Sequence, residues 1–371
     1  MPYFDHSAST PIHPDVLKRI NTVSVSHYGN PSSTHSSGRK SKAIIEDARR
    51  HIASGIGANP SEIIFTSSGT EANNLVLWSL TQSNKKHVIT SAVEHPAILR
   101  VLQKLAPYGI TYSSLPVNDE GCVNNEDLQN AIQPDTGLIS IMMVNNEVGS
   151  IQPIRSLLKT AQSAGISFHS DTVQALGKTP LSVNSIEADY LSFSGHKFYG
   201  PKGVGFLYKR KSVPLNSLII GGGQESNLRA GTENVSGIAG LGEAVRLATE
   251  NLSKRIHHLE KLELAFLKHL KTACPNVIFN GCPKDHIPGV ISASFPGNKN
   301  YILMAKLDRI GIEVSSGSAC ASGSVKTSPV LEAMGISDDQ NISTLRISFG
   351  RENIEEEVVN LAQTLGSITH G

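Results

Sequence analysis

Short apolar runs separated by helical patterns constrain this chain more than any other feature. Runs at 62–66 (EIIFT), 87–91 (HVITS), 109–115 (GITYSSL) and 138–144 (LISIMMV) are followed by 166–171 (ISFHSD), 188–192 (ADYLS) and 203–209 (GVGFLYK). Most intervals carry helical spacing, and across 154–164 Leu157, Leu158 and Ala161 fall on one side. Strand then helix, repeated, predicts an α/β fold with a mainly parallel seven-stranded sheet. The last two runs leave no room for a helix between them, so an antiparallel neighbour is expected. Ile44, Ala48 and Ile52 predict an amphipathic helix ahead of the sheet. Downstream, Leu252, Ile256, Leu259, Leu262, Phe266 and Leu270 form the stripe of a long helix. It leads to a smaller C-terminal α+β unit containing NVIFNG, GVISASF, a helix near 302–307 and STLRISFG. At 371 residues the chain exceeds one ordinary core. The expected division is an N-terminal segment over 1–15 packing near the small domain, a large domain over 16–250 and a small domain over 251–371.

Composition excludes several classes. The 33 basic and 32 acidic side chains nearly cancel, which gives no electrostatic support for nucleic-acid or membrane-surface binding. No run of about 18 apolar residues predicts a membrane span. The opening MPYFDHSASTP lacks the basic and apolar regions of a signal peptide, so the expected compartment is the cytoplasm. Cys122, Cys274, Cys282 and Cys320 form no CxxC pair, which argues against a metal site or a disulfide framework. Three of them sit among ordinary residues; Cys320 stands in SSGSACASGS.

In open α/β sheets ligands bind beyond the carboxyl ends of the strands. Residues 66–71, 145–147, 171–174 and 194–197 each follow a different predicted strand, so their polar groups converge. Lys197, in SFSGHKFYGPKGVG, comes directly after a strand. A loop lysine is ordinarily a solvated charge. The functional alternative is a Schiff-base lysine, which needs a carbonyl such as that of pyridoxal 5′-phosphate (PLP). Such a site also needs a carboxylate for the pyridine nitrogen, and Asp171 with Gln174 nearby (DTVQ) supplies one, although an isolated aspartate there reads as a helix cap. Gly69 and Thr70 open a helix after a strand and form an anion site, without the GK[ST] of a Walker loop. His95 could stack on a ring, Ser194 and His196 could donate to a phosphate, and Asn146 could hold a phenolic oxygen or a substrate carboxylate. Each feature alone favours an ordinary structural role. Their convergence after the strands of one sheet does not.

The order FTSSGTEANN, EHPA, MMVNNEVG, DTVQ, SFSGHKFYGPKG, GGGQESNLRAGTENV, SSGSACAS and STLRISFGR resembles the cysteine desulfurases, in the class-V branch of fold-type I PLP enzymes. The resemblance runs from FDHSASTP to SFGR, nearly the whole chain. It implies Lys197 as the Schiff-base lysine and His95 as the ring-stacking residue. It also implies Asp171 and Gln174 at the pyridine nitrogen and phenolic oxygen, and Gly69, Thr70, Ser194 and His196 as the phosphate cradle. Thr232 would reach the phosphate from a neighbouring subunit, which implies a homodimer. Arg346 would bind the substrate carboxylate.

Aminotransferases and lyases could use all of these groups, and Cys320 discriminates among them. Buried structural cysteines normally have larger apolar neighbours, whereas glycine and serine widen the backbone's choices. A thiolate there could take sulfur from L-cysteine, leaving a persulfide and L-alanine. The SSGSAC form resembles the group I, IscS/NifS-type members, and implies sulfur delivery to an acceptor protein with its own cysteine, in iron–sulfur cluster assembly or tRNA thiolation. The chain stops at Gly371 without the longer tail that housekeeping members use on an iron–sulfur scaffold, which argues against that partner. The alternatives are a selenocysteine lyase, an aminotransferase, and a non-catalytic sulfur-pathway partner.

Overall fold

The computed structural model describes residues 2–317 and 327–369. Its strands are β1 (Ile63–Thr66), β2 (His87–Ser91), β3 (Thr111–Leu115), β4 (Thr136–Ser140), β5 (Ser167–Asp171), β6 (Tyr190–Ser194), β7 (Gly205–Lys209), β8 (Ile278–Asn280), β9 (Val290–Ser294) and β10 (Thr344–Ser348). The first seven form one sheet in the order β1-β7-β6-β5-β4-β2-β3. Within it β7 runs antiparallel to both β6 and β1, and the other pairings are parallel. The antiparallel neighbour expected from the short ADYLS–GVGFLYK spacing is therefore β7. Strand β4 ends at Ser140, earlier than its apolar run; Met142, Met143 and Val144 stay buried beyond the ladder.

Helices cover both faces, as burial of a parallel sheet requires. On one face the helices Ser36–Ile56 and Val235–Glu250 pack through Ile45, Ala48, Ile52, Leu241 and Val245. Ile45, not Ile44, leads the buried stripe, because the contact face drifts by one residue at 3.6 residues per turn. On the other face Leu75, Val76, Ile98 and Leu102 pack from the helices Gly69–Ser79 and Pro96–Leu105. A separate core joins the antiparallel β10-β9-β8 sheet to the helices Leu252–Ala273 and Glu355–Thr369. Phe4 belongs to this core, so the chain begins on the small sheet. Among the described residues no helix is long and apolar enough to cross a membrane.

Candidate active site

All strands of the large sheet except β7 end along one edge, and polar side chains gather there. Lys197 closes a single helical turn, Gly195–Lys197, straight after β6. A Cβ at Gly195 would lie 2.9 Å from the Pro201 carbonyl, so only glycine permits this tight exit. The Lys197 amine donates to the carbonyls of Ser7 (2.7 Å) and Ala8 (2.8 Å). Burial, and then Arg346, hold it down to about 8, against the opposing pull of Asp171 and Asp5. A lysine so placed gives up its proton readily and becomes a nucleophile.

Asp171 ends β5. Its Oδ2 accepts from Asn73 Nδ2 at 2.6 Å and its Oδ1 from the Val173 amide at 3.0 Å. Gln174 donates through Nε2 to the Ser7 carbonyl (2.9 Å) and accepts at Oε1 from Lys178 (2.5 Å). His95 caps the helix Pro96–Leu105, its Nδ1 accepting from the Ala97 amide at 3.1 Å. That bond puts the proton of the neutral ring on Nε2. Burial, with Lys197 and Arg100, lowers the pKa of His95 against the pull of Asp171. His196 lies 3.2 Å from Ser9 Oγ and is held down to about 4 by burial and then by Lys197, Lys202 and Lys178.

Gly69 begins the helix after β1. A Cβ there would lie 2.5 Å from Val173 and 3.4 Å from Ser194, so glycine lets the helix start close against the β5–β6 edge. Ser68 Oγ takes the Glu71 amide at 3.2 Å, leaving the amides of Gly69 and Thr70 without an acceptor among the described residues. Ser194 is buried at the end of β6, and Thr70 is exposed. Arg346 reaches in from β10. Its Nη2 pairs with Asp5 Oδ1 at 2.7 Å, and its Nη1 donates to the carbonyls of Asn146 (3.1 Å) and Gly317 (3.4 Å). Asn146 thus meets Arg346 through its backbone.

Lys197, Asp171, His95, Gln174, His196, Arg346 and Asn146 therefore share one site, with Gly69 and Ser194 at its rim. Thr232 is exposed on the loop before the helix Val235–Glu250, with no hydrogen bond to the others among the described residues. Cys320 lies outside the described residues. Sequence reasoning missed the backbone wall of residues 7–10, the Asp5 partner of Arg346, Lys178, and two buried carboxyls. Glu94 accepts from Ser91 Oγ and the Met142 amide, both at 2.7 Å, and burial pushes it up to about 8. Glu147 accepts from Ser328 Oγ at 2.6 Å, and burial raises its pKa. Asn73 was findable, because it stands four residues after Gly69 on the same helix face.

Several buried polar atoms have no partner among the described residues: Ser7 Oγ, Asn73 Oδ1, Glu94 Oε2, Arg346 Nε and both ring nitrogens of His6. Buried polar groups are normally paired. Open amides at a helix start, a carboxylate, a neutral histidine and a deprotonable amine together suit an anionic ligand with a basic ring and a carbonyl.

Comparison with known proteins agrees. The family described as Aminotransferase class-V matches residues 2–361. The cysteine desulfurase IscS of Dictyoglomus turgidum is 42% identical over 359 residues, covering 96% of this chain and 91% of that protein. A solved NifS-like protein superposes with a TM-score of 0.94 at 37% identity, covering 100% of this chain and 99% of the other. A structure titled SspA in complex with cysteine gives 0.85 at 33% identity, covering 95% and 100%. The chain belongs to the class-V aminotransferase family and, within it, to the cysteine desulfurases of the IscS/NifS type.

Proposed function

We propose that the chain is a PLP-dependent cysteine desulfurase: it takes sulfur from L-cysteine, releases L-alanine and leaves a persulfide on Cys320. The observation that carries this reading is the buried, easily deprotonated amine of Lys197 beside Asp171, His95 and Arg346. The residues fit the cofactor. Lys197 would hold its carbonyl, Asp171 the pyridine nitrogen with Asn73 steering the carboxylate, and Gln174 the phenolic oxygen. His95 would lie against the ring, and the amides of Gly69 and Thr70, with Ser194 and His196, would hold the phosphate.

When bound, PLP withdraws electrons from the substrate's α-carbon. The Lys197 amine then moves the proton at that carbon. Arg346, with Nε unpartnered among the described residues, grips the substrate carboxylate beside Asn146 and fixes the orientation of the breaking bonds. The Cys320 thiolate attacks the substrate sulfur. An S–S bond forms as the C–S bond breaks, its electron pair stays with carbon, and protonation yields alanine. The role of Cys320 rests on its sequence setting. The structure titled as a cysteine complex supports the substrate class.

The persulfide passes by thiol exchange to an acceptor protein of iron–sulfur assembly or tRNA thiolation. A homodimer is supported by the exposure of Thr232, with Ile219 (40%) and Ile220 (87%) exposed on the same loop. Division into 1–15, 16–250 and 251–371 is supported by the separate cores, and a cytoplasmic setting by the free thiols of Cys122, Cys274 and Cys282.

Brief incubation with L-cysteine followed by mass spectrometry tests the reading. One sulfur is expected on the Cys320 peptide, with alanine released. Cys320→Ala should keep the yellow colour and make no sulfide. Transamination of L-cysteine to 3-mercaptopyruvate, with no sulfur on the Cys320 peptide, would refute the assignment.

A further inference from the structure

A second lysine stands inside the site. Lys178 follows Gln174 by four residues, across a turn at Gly177 with φ of 77°. A Cβ at Gly177 would lie 2.7 Å from the mobile Arg255 Nη1 and 3.2 Å from Ala248, and it is the positive φ that calls for glycine here. The Lys178 amine has no carboxylate within ion-pair distance among the described residues. Its charged neighbours are Lys197 after β6, Arg346 on β10 and Arg255 on the helix Leu252–Ala273, and the titratable His6 on the N-terminal segment and His196 also face it. An amine desolvated among cations is destabilising unless it makes a bond worth keeping. That bond is the 2.5 Å contact to Gln174 Oε1.

We propose that Lys178 is a positioning residue: it fixes the Gln174 amide so that only N–H faces the Lys197 side of the site, where Gln174 can then bind only a hydrogen-bond acceptor. A glutamine amide has two orientations, and its partners decide between them. An ammonium has donors only and a carbonyl accepts only. Lys178 thus holds Oε1, and the Ser7 carbonyl holds Nε2 at 2.9 Å. The same carbonyl accepts from Lys197 at 2.7 Å, which places the N–H end beside the reactive amine. Both ends enforce one orientation. Burial and the neighbouring charges push the Lys178 amine down to about 7; the ammonium below that value only donates and enforces the orientation, whereas the neutral amine above it can also accept and leaves the Ser7 carbonyl to hold the N–H end.

The inference rests on the cofactor lying at Lys197, as proposed above, with its ring oxygen against Gln174. A donor to that oxygen favours its anionic form, so losing the donor raises the pH midpoint at which the visible band of the PLP-loaded protein titrates. Asp171, Asp5, His95, His196 and Arg346 also face this region and stay in place in every variant. Lys178→Met and Gln174→Ala should each raise the midpoint, by about one pH unit. The double variant should shift no further than Gln174→Ala alone, and Lys178→Arg, which only donates, should keep the parent value. Additive shifts would mean that the Lys178 charge acts directly, and would overturn the proposal. So would an unchanged midpoint in a folded Lys178→Met; should that variant not fold, a shifted Lys178→Arg midpoint would do the same. A parent protein with no visible band would remove the cofactor reading and this inference with it, whereas a parent with the band and an unmoved Lys178→Met overturns this inference alone.

Discussion

The two sheets bury polar side chains alike and use them differently. On the small sheet Asn280 donates to Ser292 and Ser294, Ser294 bonds Thr344 at 2.7 Å, and Gln340 donates to Asn280. Among the described residues none of these side chains carries an orphaned buried atom. At the carboxyl edge of the large sheet Ser7, Asn73, Glu94, Arg346 and His6 all do. Between these two networks burial of polarity is shared and incomplete pairing is the difference, although His27, Arg210, Glu233 and His286 carry such atoms elsewhere among the described residues. Arg346 shows this within a single strand, for it lies on β10 two residues from Thr344 but donates through Nη1 to the Asn146 carbonyl of the large domain, with its Nε unpartnered among the described residues.

The largest test of this contrast is Lys197→Ala. It should abolish the visible band on PLP addition and lower cysteine turnover by roughly a thousandfold or more, read by sulfide release. Asp171→Asn keeps the shape and removes the charge, and turnover should fall on the order of a hundredfold with little change in Tm. The unloaded protein offers a pH test. The Lys197 amine titrates near 8 when folded against 10.5 ordinarily, so between those values the unfolded chain binds more protons. Stability should then rise with pH across that window, and be lost as pH falls through 8, with a slope below about 1.4 kcal/mol per pH unit for this group. Urea unfolding of Lys197→Met should show a shallower rise. The smallest effect belongs to the small sheet, where Ser294→Ala should cost about 1 kcal/mol and leave turnover unchanged. A turnover loss there comparable to that of Asp171→Asn would erase the distinction between the two networks.

Much of the site is legible in the sequence because strand ends are legible. Asp171, Ser194 and Lys197 each follow an apolar run, and parallel topology sends those ends to one edge. What escapes is contact made by backbone or across long separations. The Ser7 and Ala8 carbonyls meet Lys197 some 190 residues away, and no side-chain pattern announces a carbonyl. Asp5 reaches Arg346 across a separation of 341 residues, by way of an N-terminal segment that the small core anchors through Phe4. Lys178 reads as a surface lysine because the groups that face it, Arg255, Arg346 and His6, come from three distant parts of the chain. A four-residue spacing fits Ile44 as well as Ile45 until the packing partner, Val235–Glu250, selects Ile45.

Two lysines share this pocket, and the account assigns the cofactor to one of them. Borohydride reduction of the PLP-loaded protein, followed by peptide mapping, decides between them. The account predicts the phosphopyridoxyl group on Lys197 and an unmodified Lys178. Label on Lys178, or on neither, would contradict it.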